Sequence, residues 1–126
     1  MAMLRGMESA RRVPEAGWEW RLWVLHRVTG LLLVLSLAAH IAILHLAEPG
    51  ESIAFDRVVA RLASPPFVVL DSVLLAAALF HGLNGVRVVA GDMGMRGSTL
   101  RALSWVLLAL GLGGFVYGVY ALVSFL

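Results

Sequence analysis

Cysteine is absent from this 126-residue chain. That excludes disulfides, thiolate metal sites and iron–sulfur clusters built from the chain alone. Lysine is absent too, so all ten cations are arginine. Charged residues of either sign make up only 14% of the sequence. There is no phosphate-binding glycine loop, no nucleophile triad and no zinc-ligand spacing. What fills the sequence instead is hydrocarbon. Hydrophobic residues reach 60%, with a mean hydropathy of +0.88, against about 45–50% apolar in soluble domains.

The apolar excess is concentrated in three runs, each long enough to cross a bilayer, which needs about 20 mostly apolar residues. So short a chain has too little interior to hide three such runs in water. The fold class expected is an all-α membrane protein with three transmembrane helices. The spans are predicted at about 20–46, 67–90 and 101–126, after a polar cytoplasmic segment at 1–19. That first segment is not a secretory signal, because the apolar run behind it is too long and no small-residue cleavage site follows. Trp18, Trp20 and Trp23 crowd the start of the first span, as in an aromatic belt at headgroup depth. Between the first two spans, Pro49-Gly50 and Pro65-Pro66 punctuate a loop, and Ile53 to Leu62 has the pattern of a short amphipathic surface helix. Residues 91–100 read as a glycine-rich turn, with Ser98 or Thr99 as N-cap of the third span. Gly114 and Gly118 form a GxxxG packing pair there.

A sequence pI near 9.9 would suit nucleic acid, but arginines beside membrane spans follow the positive-inside rule, and no nucleic-acid partner is expected. Arg5, Arg11, Arg12, Arg21 and Arg27 precede or open the first span, and Arg87, Arg96 and Arg101 flank the second turn. Between spans one and two, Arg57 and Arg61 are offset by Glu48, Glu51 and Asp56. This places the N-terminus and second turn in the cytoplasm and the C-terminus outside, in a prokaryotic cytoplasmic (inner) membrane.

Polar groups inside a span cost about 2.5–3.5 kcal/mol each on insertion scales, so they mark partners, cofactors or water. Here they are His26, Arg27, His40, His45, Asp71, His81, Asn84, Arg87 and Asp92. Imidazole ligates haem iron, and a helical bundle core is a usual place for haem. Helical phase puts His81, Gly85 and Asp92 on one stripe, with Leu74, Ala77 and Ala78 above. Small neighbours leave room for a flat macrocycle, or equally for close helix packing. His26, Gly30, Leu33, Leu37 and His40 share a broad face of span one, while His45 points about 140° away from His40. His45 is read as structural or as a partner of a haem propionate. His81 and His40 lie at different depths, so two histidine-bound irons would be two haems, each completed by another subunit. Arg27 and His26, one turn inside the interface, with Trp23 and with Asp92 at the same level, offer donors and a proton route to a quinone. Arg27 and Arg87 also suit simple snorkelling, and Arg87 suits a haem propionate. Asp71 is expected to stay solvated or cap the second span, and Asn84 to bond a neighbouring helix.

The stretch His26-Arg27-Val28-Thr29-Gly30 resembles the first-helix signature of succinate dehydrogenase membrane anchors, and Phe80 to Asp92, FHGLNGVRVVAGD, is similar to their second-helix signature. Order, size and three-span layout agree along essentially the whole chain. The resemblance implies that His81 ligates the haem b nearer the cytoplasm and His40 the outer haem of two-haem relatives. It implies that Arg27 lies at the quinone pocket and Asp92 near its mouth. The single-haem relatives that have this arginine at the quinone pocket carry a serine where this chain has Trp23. It further implies a complex with a flavoprotein bearing FAD, an iron–sulfur subunit and a second membrane anchor subunit, passing electrons from succinate to ubiquinone or menaquinone. On the residues alone, an anchor of another dihaem cytochrome b, including fumarate reductase, and a non-redox small membrane protein remain open.

Overall fold

The computed structural model describes residues 17–46 and 55–126, and side chains at 17–42 and 55–126. The described residues form four helices and no strand: α1 (Trp18–Leu46), α2 (Phe55–Leu62), α3 (Pro65–Asp92) and α4 (Gly97–Val123). The protein is thus all-α. Three of the helices contain membrane-length apolar stretches, at Trp18–Ala42, Pro65–Asp92 and Gly97–Val123. At 1.5 Å per residue these run for roughly 37–42 Å, enough for a hydrocarbon layer of about 30 Å and its headgroup margins. The N-terminal segment up to residue 16 and loop residues 47–54 lie outside the described residues, as does the side chain of His45.

Each helix starts where its local chemistry permits. Pro65 and Pro66 fill the first two positions of α3, where a missing N–H costs nothing. Ser64 precedes them with an extended backbone but makes no side-chain cap bond. Asp71 therefore sits a turn and a half inside α3 and does not cap it. The second turn is tighter than expected. Gly94 and Gly97 take φ of +96° and +62°, a region side chains disfavour, so the chain reverses within Met93–Arg96. The N-cap position of α4 falls on Arg96. Ser98 and Thr99, expected to cap, fall inside the first helical turn and are exposed. The amphipathic helix expected at Ile53 to Leu62 is present as α2, with Phe55, Val58, Val59 and Leu62 on one face and Asp56, Arg57 and Arg61 on the others.

Packing is organised around α3, which meets α1 on one flank and α4 on another. The α3–α4 seam is a row of leucines against a row of glycines. A Cβ at Gly118 would overlap Leu75, one at Gly111 would lie 3.0 Å from Leu83, and one at Gly114 would lie 3.6 Å from Leu79. Leu75, Leu79 and Leu83 repeat every four residues and so form a ridge that fits the glycine groove. Gly114 and Gly118 thus serve as the packing pair expected of them. Hydroxyls are satisfied within their own helices: Ser36, Ser72 and Ser104 donate to the carbonyls of Leu32, Val68 and Leu100 at 2.6–2.7 Å. In lipid such back-bonding replaces the water a soluble serine would use.

Only Thr29, Val68, Ala77 and Asn84 are buried among the described residues. Most large apolar side chains face outward, as lipid and partner helices allow. The glycine seam should tolerate no branching. Gly118→Ile is expected to lower the stability of the detergent-solubilised protein by about 1–3 kcal/mol through overpacking. Gly113→Ala, with nothing within 4 Å of the new methyl, should leave it unchanged or slightly higher. Thermal denaturation of the two variants checks this, and equal losses would contradict the seam.

Candidate functional site

The polar residues of α1 and α3 converge at one level. The rings of His26 and His81 stack face to face, with centroids 4.1 Å apart and planes 4° from parallel. The Nδ1 of His81 lies 3.0 Å from the carbonyl oxygen of His26. A carbonyl only accepts, so Nδ1 carries the proton and donates. Thr29 Oγ1 lies 3.4 Å from the same nitrogen while its hydroxyl donates to the Leu25 carbonyl at 2.8 Å. The Nε2 of His81 is left as a bare lone pair without a partner among the described residues.

Two glycines make this approach possible. A Cβ at Gly30 would stand 2.8 Å from Cε1 of His81 and 3.3 Å from its Nδ1. Gly30 also follows His26 by four residues, so its missing side chain uncovers the His26 carbonyl one turn earlier, which keeps a second lone pair for the incoming ring. Gly85, on α3, has His26 Cε1 at 3.6 Å from its virtual Cβ. Its clearance is therefore used by an imidazole of the facing helix. The Nδ1 of His26 is enclosed and has no hydrogen-bond partner among the described residues.

The other expected site residues distribute around this pair. Arg27 places its guanidinium 3.9 Å from the ring centroid of Trp23, a cation–π contact on the exposed side of α1. Arg87 donates to Glu19 at 2.8 Å, tying α3 to the start of α1. Asp92 is exposed at the end of α3. It was expected at the level of Arg27, but the register differs. With His26 opposite His81, Asp92 lies eleven residues, about 16 Å, farther along α3. Likewise His26 and Arg27 lie more than two turns inside α1, which begins at Trp18. His40 is exposed, about 21 Å along α1 from His26. The structure therefore joins His81, His26, Gly30 and Gly85 in one cluster and Arg27 with Trp23 in a second beside it. It does not join His40 or Asp92 to either. No group of three or more His, Cys, Asp or Glu side chains converges on a metal-sized site among the described residues.

Thr29 and Glu19 were not singled out from sequence. Thr29 is the i+3 neighbour of His26 on the inner face, and Glu19 is the lone acid beside a row of tryptophans; both signals were legible. Asn84 was expected to bond a neighbouring helix. It is buried, yet its carboxamide has no hydrogen-bond partner among the described residues and faces a groove between α1 and α4.

Residues 1–117 match the family of succinate dehydrogenase/fumarate reductase transmembrane subunits. The chain is 36% identical over 124 residues to a succinate dehydrogenase hydrophobic membrane anchor subunit of Archaeoglobus fulgidus, covering 94% of this chain and 97% of that one. It is 38% identical over 74 residues to the protein of the same description from Halobacterium salinarum, covering 58% and 56%. It is 30% identical over 86 residues to succinate dehydrogenase 2 membrane subunit SdhC of Mycobacterium tuberculosis, covering 68% and 62%.

The ring stack depends on a bare position 30. Gly30→Val should push His81 out of the stack and cost about 1–3 kcal/mol by overpacking. Thr29→Val, which keeps the shape and removes a hydroxyl whose shorter bonds are to its own helix, should cost less. Thermal stability of the two variants in detergent provides the comparison, and a Gly30→Val protein as stable as wild type would refute the contact.

Proposed function

The chain belongs to the succinate dehydrogenase/fumarate reductase transmembrane subunit family, and from that premise we propose that it is a haem b-binding membrane anchor of a succinate:quinone oxidoreductase. The observation that carries the haem reading is the hydrogen bond from His81 Nδ1 to the His26 carbonyl. A histidine that ligates a metal usually gives its second N–H to a carbonyl or carboxylate, which fixes the tautomer and raises the basicity of the ligating nitrogen. His81 has that arrangement with Nε2 unused. The space beside it also fits a planar group: nothing lies within 4 Å of a Cβ at Gly82, and Val86 and Val89 on the same side of α3 are exposed.

Haem b, when bound, supplies a one-electron carrier between the iron–sulfur clusters and quinone. The residues of this chain hold and orient it. His81 offers the imidazole, His26 backs its ring, and Gly30 and Gly85 leave room for the two rings. The Glu19–Arg87 pair ties the helices together on the cytoplasmic side. Among the described residues His81 alone offers this level an imidazole whose Nε2 is unused, so any further ligand to the haem would be supplied by the second membrane anchor subunit. A flavoprotein with FAD and an iron–sulfur subunit dock on the cytoplasmic face, to which the arginine distribution assigns the N-terminus and the second turn.

The quinone, ubiquinone or menaquinone, meets this chain at Arg27. Stacking on Trp23 restrains the guanidinium and leaves its N–H groups for a carbonyl oxygen. His26 lies one residue away, and Asp92 stands nearer the membrane surface, at the mouth rather than against the ring. His40 is offered to an outer haem held with the same partner subunit.

In the purified complex, His81→Ala should abolish the Soret absorbance of the haem at this level. His26→Ala keeps the backbone carbonyl, so it should retain the haem with a shifted midpoint potential. A full haem spectrum in His81→Ala would overturn the assignment. In His40→Ala, loss of a separate component in the redox titration assigns an outer haem, and an unchanged titration leaves one haem only. Arg27→Ala should lower kcat/KM for quinone by about 10- to 150-fold, as for loss of a charge-assisted hydrogen bond of about 1.5–3 kcal/mol, while the haem spectrum stays intact. Unaltered quinone kinetics would remove Arg27 from the site.

A further inference from the structure

The contact between α1 and α3 has two sides. Trp23 and Arg27 lie on one. On the other, α1, α3 and α4 enclose a groove of about 460 Å³. Pockets for small ligands run at about 300–1,000 Å³, are mostly apolar and carry a few placed polar groups. This groove has that character. Its walls include Leu79, Phe80, Leu83, Leu108, Leu112 and Phe115, and Asn84, Arg87 and Ser104 are its polar members. From Arg87 to Ala76 it follows α3 for eleven residues, about 16 Å.

Three features select the occupant. First, Asn84 is only 9% exposed and has no hydrogen-bond partner among the described residues, yet it lines the groove. The carboxamide is not fully enclosed, so a partner can reach it from the groove, and within a bilayer an unpartnered amide costs about 1–3 kcal/mol that such a partner would remove. Second, one end is charged: Arg87, with Glu19 at 2.8 Å, lines the groove together with the exposed Trp18 and Trp105. Ser104 is also there, but its hydroxyl is already given to Leu100. Third, everything beyond Asn84 is hydrocarbon. The order along the groove is a charge pair, then about 4.5 Å deeper a hydrogen-bond donor, then an apolar channel. That is the order of groups in a phospholipid: headgroup, glycerol oxygens, chain.

We propose that this groove holds one membrane phospholipid with a zwitterionic amine headgroup. The phosphate takes the Arg87 guanidinium and the ammonium takes the Glu19 carboxylate, so both charges of the pair stay matched. The Asn84 carboxamide donates to a glycerol-linked oxygen, and one chain runs down the groove past Phe80 and Leu112 toward Ala76. The lipid fills the space between α1 and α4, which do not pack on each other as they do on α3. The assignment is independent of the haem reading, since it uses neither His26 nor His81.

The test uses the intact complex purified in mild detergent, with lipid extraction and native mass spectrometry of wild type, Asn84→Leu and Ala76→Phe. Wild type should retain one amine-headgroup phospholipid per copy of this chain. Asn84→Leu, of similar shape, should weaken its retention about tenfold, the effect of one lost hydrogen bond near 1.4 kcal/mol. Ala76→Phe, which adds bulk at the apolar end, should lower it independently. Haem content should be unchanged in both, which separates failure of this proposal from failure of the haem assignment. Equal lipid retention in all three proteins overturns the proposal. So does a photo-crosslinker at Leu108 that captures a polypeptide or a quinone instead of a phospholipid.

Discussion

The register of α1 on α3 depends on one hydrogen bond, from the imidazole of His81 to the backbone carbonyl of His26. In a bilayer an imidazole N–H must find an acceptor inside the protein, and most helix carbonyls are already engaged and shielded. The His81 ring can reach the His26 carbonyl because residue 30, whose Cβ would stand 2.8 Å from that ring, is glycine. The remaining geometry follows. The His26 ring comes to rest on His81, Gly85 must be bare to admit it, and seven residues nearer the start of α1 Glu19 meets Arg87. Without that bond, two smooth apolar helices would slide over each other at little cost.

The bond also explains which parts of the molecule were legible in the sequence. Three spans could be read from apolar runs alone, because length and hydropathy bind every helix separately. Helix ends were less legible. Gly97 takes a positive φ, and this moved the start of α4 ahead of Ser98 and Thr99, which otherwise look like caps. The relative level of residues on different helices could not be read at all. Asp92 and Arg27 both lie toward helix ends in the sequence, so they looked like neighbours. Only the pairing of His26 with His81 puts about 18 Å of helix rise between them. Gly85 shares a stripe with His81, as helical phase requires, but what the stripe faces is a property of two helices together. Asn84 was misread for the same reason: its face is set by where α4 docks, through leucines and glycines far from it.

The two sides of the α1–α3 contact differ in a way that suits different occupants. On the Arg27 side the surface is open, with small or branched residues on α3 and a restrained cation on α1. Such a side can receive a planar group and the helices of another subunit. On the Asn84 side α4 bounds a groove of about 460 Å³. A hydrogen-bonding side chain at its waist and a charge pair at its end suit an elongated amphiphile. The amino acids responsible are interleaved along the same two helices, because residues three or four apart share a face and residues two apart do not.

The chain's lack of an interior and the incompleteness of its proposed redox site have one origin. Three spanning helices arranged as a central helix with two flanks bury almost nothing: only four described residues are buried. There is no hydrophobic force to gather helices in lipid, so their association rests on close contact at small residues and on the few polar bonds between them. Here these are the glycine seam to α4 and the His81 bond and ion pair to α1. Such a structure is stable only to the extent that its exposed faces are covered, and whatever binds the folded form adds its binding energy to the fold. A haem ligated half by this chain and half by another, and a lipid wedged where α1 and α4 do not touch, would each do this. Cofactor, lipid and partner subunit are then structural members as much as functional ones. The residues proposed to receive them, His81 and Asn84, are places where the sequence accepted a polar side chain in hydrocarbon.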